Sequence, residues 1–220
     1  MFFFSSVRIF LVAATTVLLS ACSNSGYGAF GIPEGGGGAP PPGTFTSSTT
    51  DPVGDALTTT GGTAWDITTV DTSRPITGAT ALRVDITLAQ AISGASLPAA
   101  GTTPSGTQLS VTLILSTGTS GTSLHFPPGA CAGNAVVSNI TYLMNLTGKR
   151  LADGNFALTN AVSGAQSGEV TATFPGPNTI SYSIPTAGIG AGTGATTMLV
   201  VTGNGLGFTD CAPNAGFIGT

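Results

Sequence analysis

Charge is what this chain has least of. Only 6% of its 220 residues are Asp, Glu, Lys or Arg, and five basic residues stand against nine acidic ones for a net charge of −4. Neutralising phosphates takes a stripe of Lys and Arg, so a nucleic acid or other polyanion is excluded as partner. His125 is the one histidine. A Ser/His/Asp triad would have to use it, and no G-x-S-x-G elbow accompanies it, because GTSGT over 118–122 lacks the last glycine. A secreted hydrolase therefore ranks behind non-enzymatic readings. Paired carboxylates for glycoside hydrolysis fare no better: Asp153 and Glu169 lie near turn signals, and nothing in the sequence selects a pair. The three cysteines show no C-x-x-C spacing, which argues against a thiolate metal site. Long apolar runs are missing too. The longest N-terminal one, 9–19, is too short to cross a bilayer. A sustained helical period is likewise absent, and with 33 Gly, 14 Pro and abundant Thr the composition is that of an all-β protein.

What is present begins with a leader. Arg8 precedes the apolar stretch 9–19, which has the length of a signal h-region. It ends in LLSAC, with Leu19 three positions before Cys22 and small residues between. This resembles the lipobox of bacterial lipoproteins. The resemblance implies cleavage after residue 21 and acylation of Cys22 on its thiol and freed amine, with more than one chain giving stable anchoring. Ser23 stands where an inner-membrane retention signal would have aspartate, which in a two-membrane cell points to the outer membrane. Residues 23–50 contain GGGGAPPPG and Ser/Thr clusters, a composition that cannot bury a core. As a flexible tether of about 28 residues they reach roughly 30 Å. The expected organisation is a signal peptide over 1–21, a lipidated tether over 22–50 and a folded domain over 51–220.

The folded part shows a period of two. Leu82, Val84, Ile86 and Leu88 alternate with Arg83, Asp85 and Thr87, as a half-buried strand requires. Leu109, Val111, Leu113 and Leu115 repeat the pattern, and Val136, Ile140, Tyr142, Met144 and Leu146 read as one further strand. Val170, Ala172 and Phe174 follow, then Ile180, Tyr182 and Ile184 up to Pro185, and residues 198–202 read as a last apolar strand. Asp153-Gly154 is a turn signal, and Gly/Pro/Thr clusters separate the other runs. About seven to nine short strands predict a single antiparallel β-sandwich, with a barrel as the alternative closure. Cys131 and Cys211, an even pair in an exported chain, predict a disulfide closing a loop of about 80 residues.

One stretch carries candidate chemistry. In Asp51-Pro52-Val53-Gly54-Asp55 the proline fixes one dihedral and the glycine permits positive φ, so the chain can curl and bring two carboxylates to one side. Asp66, opening the strand at Ile67, is a third, and no basic residue between Cys22 and Arg74 neutralises them. Hard cations take six to eight oxygens, so Asp51, Asp55 and Asp66 predict a Ca²⁺ site; the competing reading is a plain Asx turn. The same residues resemble the start of DOMON-like sandwich domains, an architecture shared by family 9 carbohydrate-binding modules and glucodextranase-type C-terminal regions. Ile180-Ser181-Tyr182-Ser183-Ile184-Pro185 with Gly188 is similar to their late strand, and the likeness spans about 51–203. It implies a module that binds sugar or, in some members, haem. Trp65 is assigned to the core rather than to a sugar platform, and His125, Met144 and Met198 are the residues a haem would have to use. GAGTGA over 190–195 fits a dinucleotide fingerprint formally but precedes a strand, not a helix. The expected protein is a lipid-anchored extracytoplasmic binding or surface-interaction module, with carbohydrate or protein as ligand. The alternative is a self-associating structural envelope component pairing through Thr-rich strand edges.

Overall fold

The computed structural model describes residues 47–73, 81–116, 121–126, 131, 136–145, 151, 154–189 and 197–219, and for 143–145 the backbone alone. Cys22, the leader and nearly all of the tether lie outside them. Among the described residues there are thirteen strands and two short 3-10 turns, and no helix is long and apolar enough to cross a membrane. The fold is the antiparallel β-sandwich that the alternation predicts.

Sheet one runs β1 (Ser47–Thr50), β2 (Ile67–Ser73), β3 (Ala81–Leu88), β10 (Thr179–Pro185), β9 (Gln166–Gly176). Sheet two continues from β9 through β8 (Phe156–Asn160), β7 (Tyr142–Asn145), β4 (Ser110–Ser116) and β11 (Thr197–Asn204) to β12 (Gly207–Ala212), with β13 (Ile218–Gly219) beside β11. β9 belongs to both sheets. Gly168, Glu169 and Val170 pair with β8, whereas Thr171, Ala172 and Thr173 pair with β10. One side of the sandwich is thus a continuous hydrogen-bonded corner. β1 brings the last four residues of the stretch read as tether into the first sheet, paired with β2.

Between the sheets lies the main core. Leu82, Val84, Ile86 and Leu88 of β3 meet Val111, Leu113 and Leu115 of β4 and Met198 and Val200 of β11. Trp65 belongs to it and is buried, as do Val170, Tyr182 and Phe156, the last two edge to face at 6.2 Å. The alternate residues of β3 stay on the outer face, where Arg83 binds Asp85 at 2.6 Å and Ser181 Oγ donates to Asp85 Oδ1.

β4 and β11 are buried on both faces. Their second faces, Ile114, Leu199 and Val201, form a smaller core with Phe126, Val137, Ile140 and the two cysteines. The cover is a hairpin of β5 (Thr122–His125) and β6 (Val136–Ile140). Residues 136–145 are therefore two strands in different sheets rather than one. The chain passes from one to the other at Asn139, which takes φ +62°, and Thr141, whose N–H donates to Leu115 O. Gly121 sits so close to this crossing that a Cβ there would meet the carbonyl carbon of Asn139 at 2.5 Å. Of the strands beyond the expected seven to nine, β1, β5 and β13 are too brief for alternation to reveal, and β12, GFTDCA, buries polar and apolar side chains alike. Residues 198–202 do lie in a strand, but β12 and β13 follow it.

A candidate cation site at the open seam

The side of the sandwich opposite β9 is closed differently. β2 and β12 approach there without a shared backbone ladder, and side chains bridge the gap. Asp210 Oδ2 accepts the Ile67 N–H at 2.7 Å, and Thr202 Oγ1 and Thr209 Oγ1 both donate to the Trp65 carbonyl at 2.7 and 2.9 Å. The Leu57 N–H reaches Thr209 O at 2.7 Å. A carboxylate here completes what a neighbouring strand would otherwise supply, because a buried backbone N–H needs an acceptor.

The acidic turn hangs on this seam. After β1 the chain curls through Pro52 and Gly54, which takes φ +92°, and the Asp51 N–H donates back to Thr68 O. Asp66 Oδ2 accepts the Gly54 N–H at 2.8 Å and so holds the turn against the start of β2. Asp55 Oδ2, at the solvent rim, takes the amide of Asn214 at 2.7 Å. Carboxylate oxygens of Asp51, Asp55 and Asp210 all lie within 4.8 Å of one another. Asp51 is 7% exposed and Asp210 2%.

Asp51 and Asp210, buried beside one another and beside the exposed Asp55, resist ionising together. Burial, then the carboxylates of Asp55 and Asp66, push Asp51 up to about 7 against an opposing backbone N–H from Asn214. Burial lifts Asp210 to about 7 as well; the Ile67 and Cys211 N–H groups oppose the rise and the charges of Asp51 and Asp55 add to it. Among the described residues no cationic side chain contributes to the titration of either group. Asp51 Oδ2 and Asp66 Oδ1 are buried with no hydrogen-bond partner. The arrangement can hold a hard cation or share protons. The side chains that converge are carboxylates alone.

The sequence expectation placed Asp51, Asp55 and Asp66 in one site. The structure brings the first two together and sets Asp66 beside them, bonded to the turn. Asp210 completes the group instead, from a strand 155 residues after Asp55. Cys131 and Cys211 are joined with Cα atoms 5.2 Å apart, inside the usual disulfide range. The bond ties the β5–β6 hairpin to β12, and the Cys211 N–H donates to Asp210 Oδ1 at 2.7 Å.

Other candidates disperse. His125 is exposed at the end of β5, on the far side of the second sheet from Met198 in the main core, and the Met144 side chain and Asp153 lie outside the described residues. Glu169 is exposed on β9 and takes a hydrogen bond from Asn155. Two surface clefts, of about 180 and 320 Å³, are lined by Ile114, Asn139 and Phe217 in one and by Pro104, Asn204 and Phe208 in the other, with no ionisable side chain in either. Comparison with family models, with curated proteins and with solved structures finds no match. Fold and site define the class, a disulfide-pinned all-β sandwich with an acidic seam.

Proposed function

We propose that the chain is a lipid-anchored, extracytoplasmic β-sandwich serving as a non-enzymatic binding or surface-interaction module, with Ca²⁺ stabilising the domain at its acidic turn. The observation that carries the reading is the convergence of the carboxylates of Asp51, Asp55 and Asp210 at the seam. The outer face of the first sheet supports it with an interaction surface. Thr50, Thr69, Thr87 and Thr179 stand in one row across four strands, and Ser48, Asp71, Asp85, Ser181 and Thr173 in the next. Such a flat hydroxyl-rich face suits a carbohydrate or protein ligand on the cell surface. The leader and the LLSAC motif support the anchor on Cys22, and the Gly/Pro-rich tether gives the domain reach.

Metabolic labelling with a fatty acid tests the location. Label and membrane association are expected in the wild type and lost in Cys22→Ala; label retained in the variant would overturn the anchor. Metal analysis of purified protein tests the site, and calcium near one equivalent is expected.

The self-associating structural component is favoured by one observation. β1, SSTT, ends the strand order of the first sheet without a charged residue to discourage pairing. A solution mass of one chain in detergent-corrected sedimentation would set that reading aside.

A further inference from the structure

Because the acids come from both sides of the seam, an ion there would do more than fill a turn. We infer that a hard divalent cation of the calcium type bridges Asp51 and Asp55 of the N-terminal turn to Asp210 of β12, and so acts as the clasp that closes the sandwich opposite β9. This inference rests on the reading of the acidic turn as a calcium site and deepens it, by exchanging Asp66 for Asp210 as third ligand and giving the ion a mechanical task.

Distances favour the exchange. Calcium binds oxygen at about 2.3–2.6 Å, so two ligand atoms on one ion stand at most about 5 Å apart. The 4.8 Å limit of the Asp51, Asp55 and Asp210 oxygens falls under that ceiling. A second observation points independently to a ligand: Asp51 is 7% exposed, yet its Oδ2 has no donor. The Asn214 backbone N–H opposes the rise of the Asp51 carboxyl only in part, and among the described residues no cationic side chain adds to that opposition. A buried acceptor left unpaired is costly, the more so when it is charged, a deficit a cation would remove. Asp66 also has an unpaired oxygen, Oδ1, but it is not among the three acids whose oxygens converge, and its Oδ2 is engaged by the Gly54 N–H.

Asp210 makes the ion's influence travel. The same carboxylate accepts the N–H of Ile67 at the start of β2 and of Cys211 in its own strand. Cys211 is bonded to Cys131, so the β5–β6 hairpin that covers the second core is fastened to the residue next to the ligand. Binding should therefore tighten β12, the first residues of β2 and the hairpin together. The β8–β9–β10 corner, held by backbone ladders, should not respond.

Hydrogen exchange of the full chain in detergent, read by mass spectrometry at pH 7.5 in Ca²⁺ and in EDTA, tests this, with calcium titration of Asp55→Asn, Asp66→Asn and Asp210→Asn alongside. Expected are slower exchange of at least tenfold in β12, in 55–67 and in β5–β6, no change in β8–β10, and a loss of calcium affinity of at least 100-fold in Asp210→Asn against less than tenfold in Asp66→Asn. Asp55 is exposed, so Asp55→Asn keeps the fold and reports the site even where Asp210→Asn unfolds. Protection confined to 51–66, with β12 unchanged, would overturn the clasp while leaving calcium at the turn. No calcium binding to the wild type would overturn both.

Discussion

The two sides of the sandwich are closed by different means. At β9 a single strand passes from one sheet to the other, and backbone ladders on both sides of the crossing hold the corner. At the β2–β12 seam the closing bonds come from Asp210, Thr202 and Thr209, with Asp51 and Asp55 packed against them. Ladder bonds are neutral and indifferent to pH and metal. Carboxylates drawn into a dry seam carry charge with them, so that side of the molecule should depend on protons, cations and the adjacent disulfide.

The comparison can be broken at several points, and the largest effect should come from the disulfide. Cys131→Ser with Cys211→Ser releases a loop of 80 residues, which in the chain-entropy model destabilises by about 4–5 kcal/mol, measured as a lower denaturation midpoint. A comparable change is expected from pH alone. Unfolded carboxyls titrate near 4, whereas Asp51 and Asp210 in the fold titrate at about 7. Between those values the folded chain binds the extra protons, so stability in chelator falls as pH rises from 4 to 7 and stays low above it. One carboxyl raised three units is worth about 4 kcal/mol. Protonating one acid relieves its neighbour, so the pair should lose on the order of 4 kcal/mol rather than twice that between pH 4.5 and 7.5, read from urea midpoints in EDTA.

At the other corner Val170→Ala removes two buried methyl groups where β9 changes sheets and should cost roughly 2–3 kcal/mol. The discriminating outcome is that this loss is equal with and without calcium, because the corner is held by backbone ladders and none of its residues belongs to the acidic cluster. The smallest effect should follow Thr209→Val. It deletes one of two donors to the Trp65 carbonyl, which keeps the Thr202 hydroxyl, and about 1 kcal/mol of stability in the same assay.

How far the sequence reveals this depends on the range of each interaction. Alternation at 82–88 and 109–115 gave the sheet faces, because a period of two is local and one side is buried. The even cysteine pair gave the staple. The β6–β7 crossing was hidden because Val136, Ile140 and Tyr142 are apolar on both sides of it, although Val136 is exposed, Ile140 enters the second core and Tyr142 packs against the first. Asp51 and Asp55 were legible through the proline and glycine between them. Asp210 was not, since no motif joins it to the turn. Its one local sign is an acid in an apolar strand beside a half-cystine, TDCA, with no cation nearby in sequence.

The central claim, that the acidic seam takes a cation, is tested most directly by scanning calorimetry of the wild type at pH 7.5 in Ca²⁺ and in EDTA. With calcium at 100 times its dissociation constant, binding to the folded state alone adds about 2.7 kcal/mol. For a domain of this size that is roughly 5–10 °C in melting temperature, and the gain should shrink at pH 5, where protons compete for Asp51 and Asp210. Superimposable melting curves in the two buffers at pH 7.5 would contradict the account and leave the seam a cluster of acids held by protons alone.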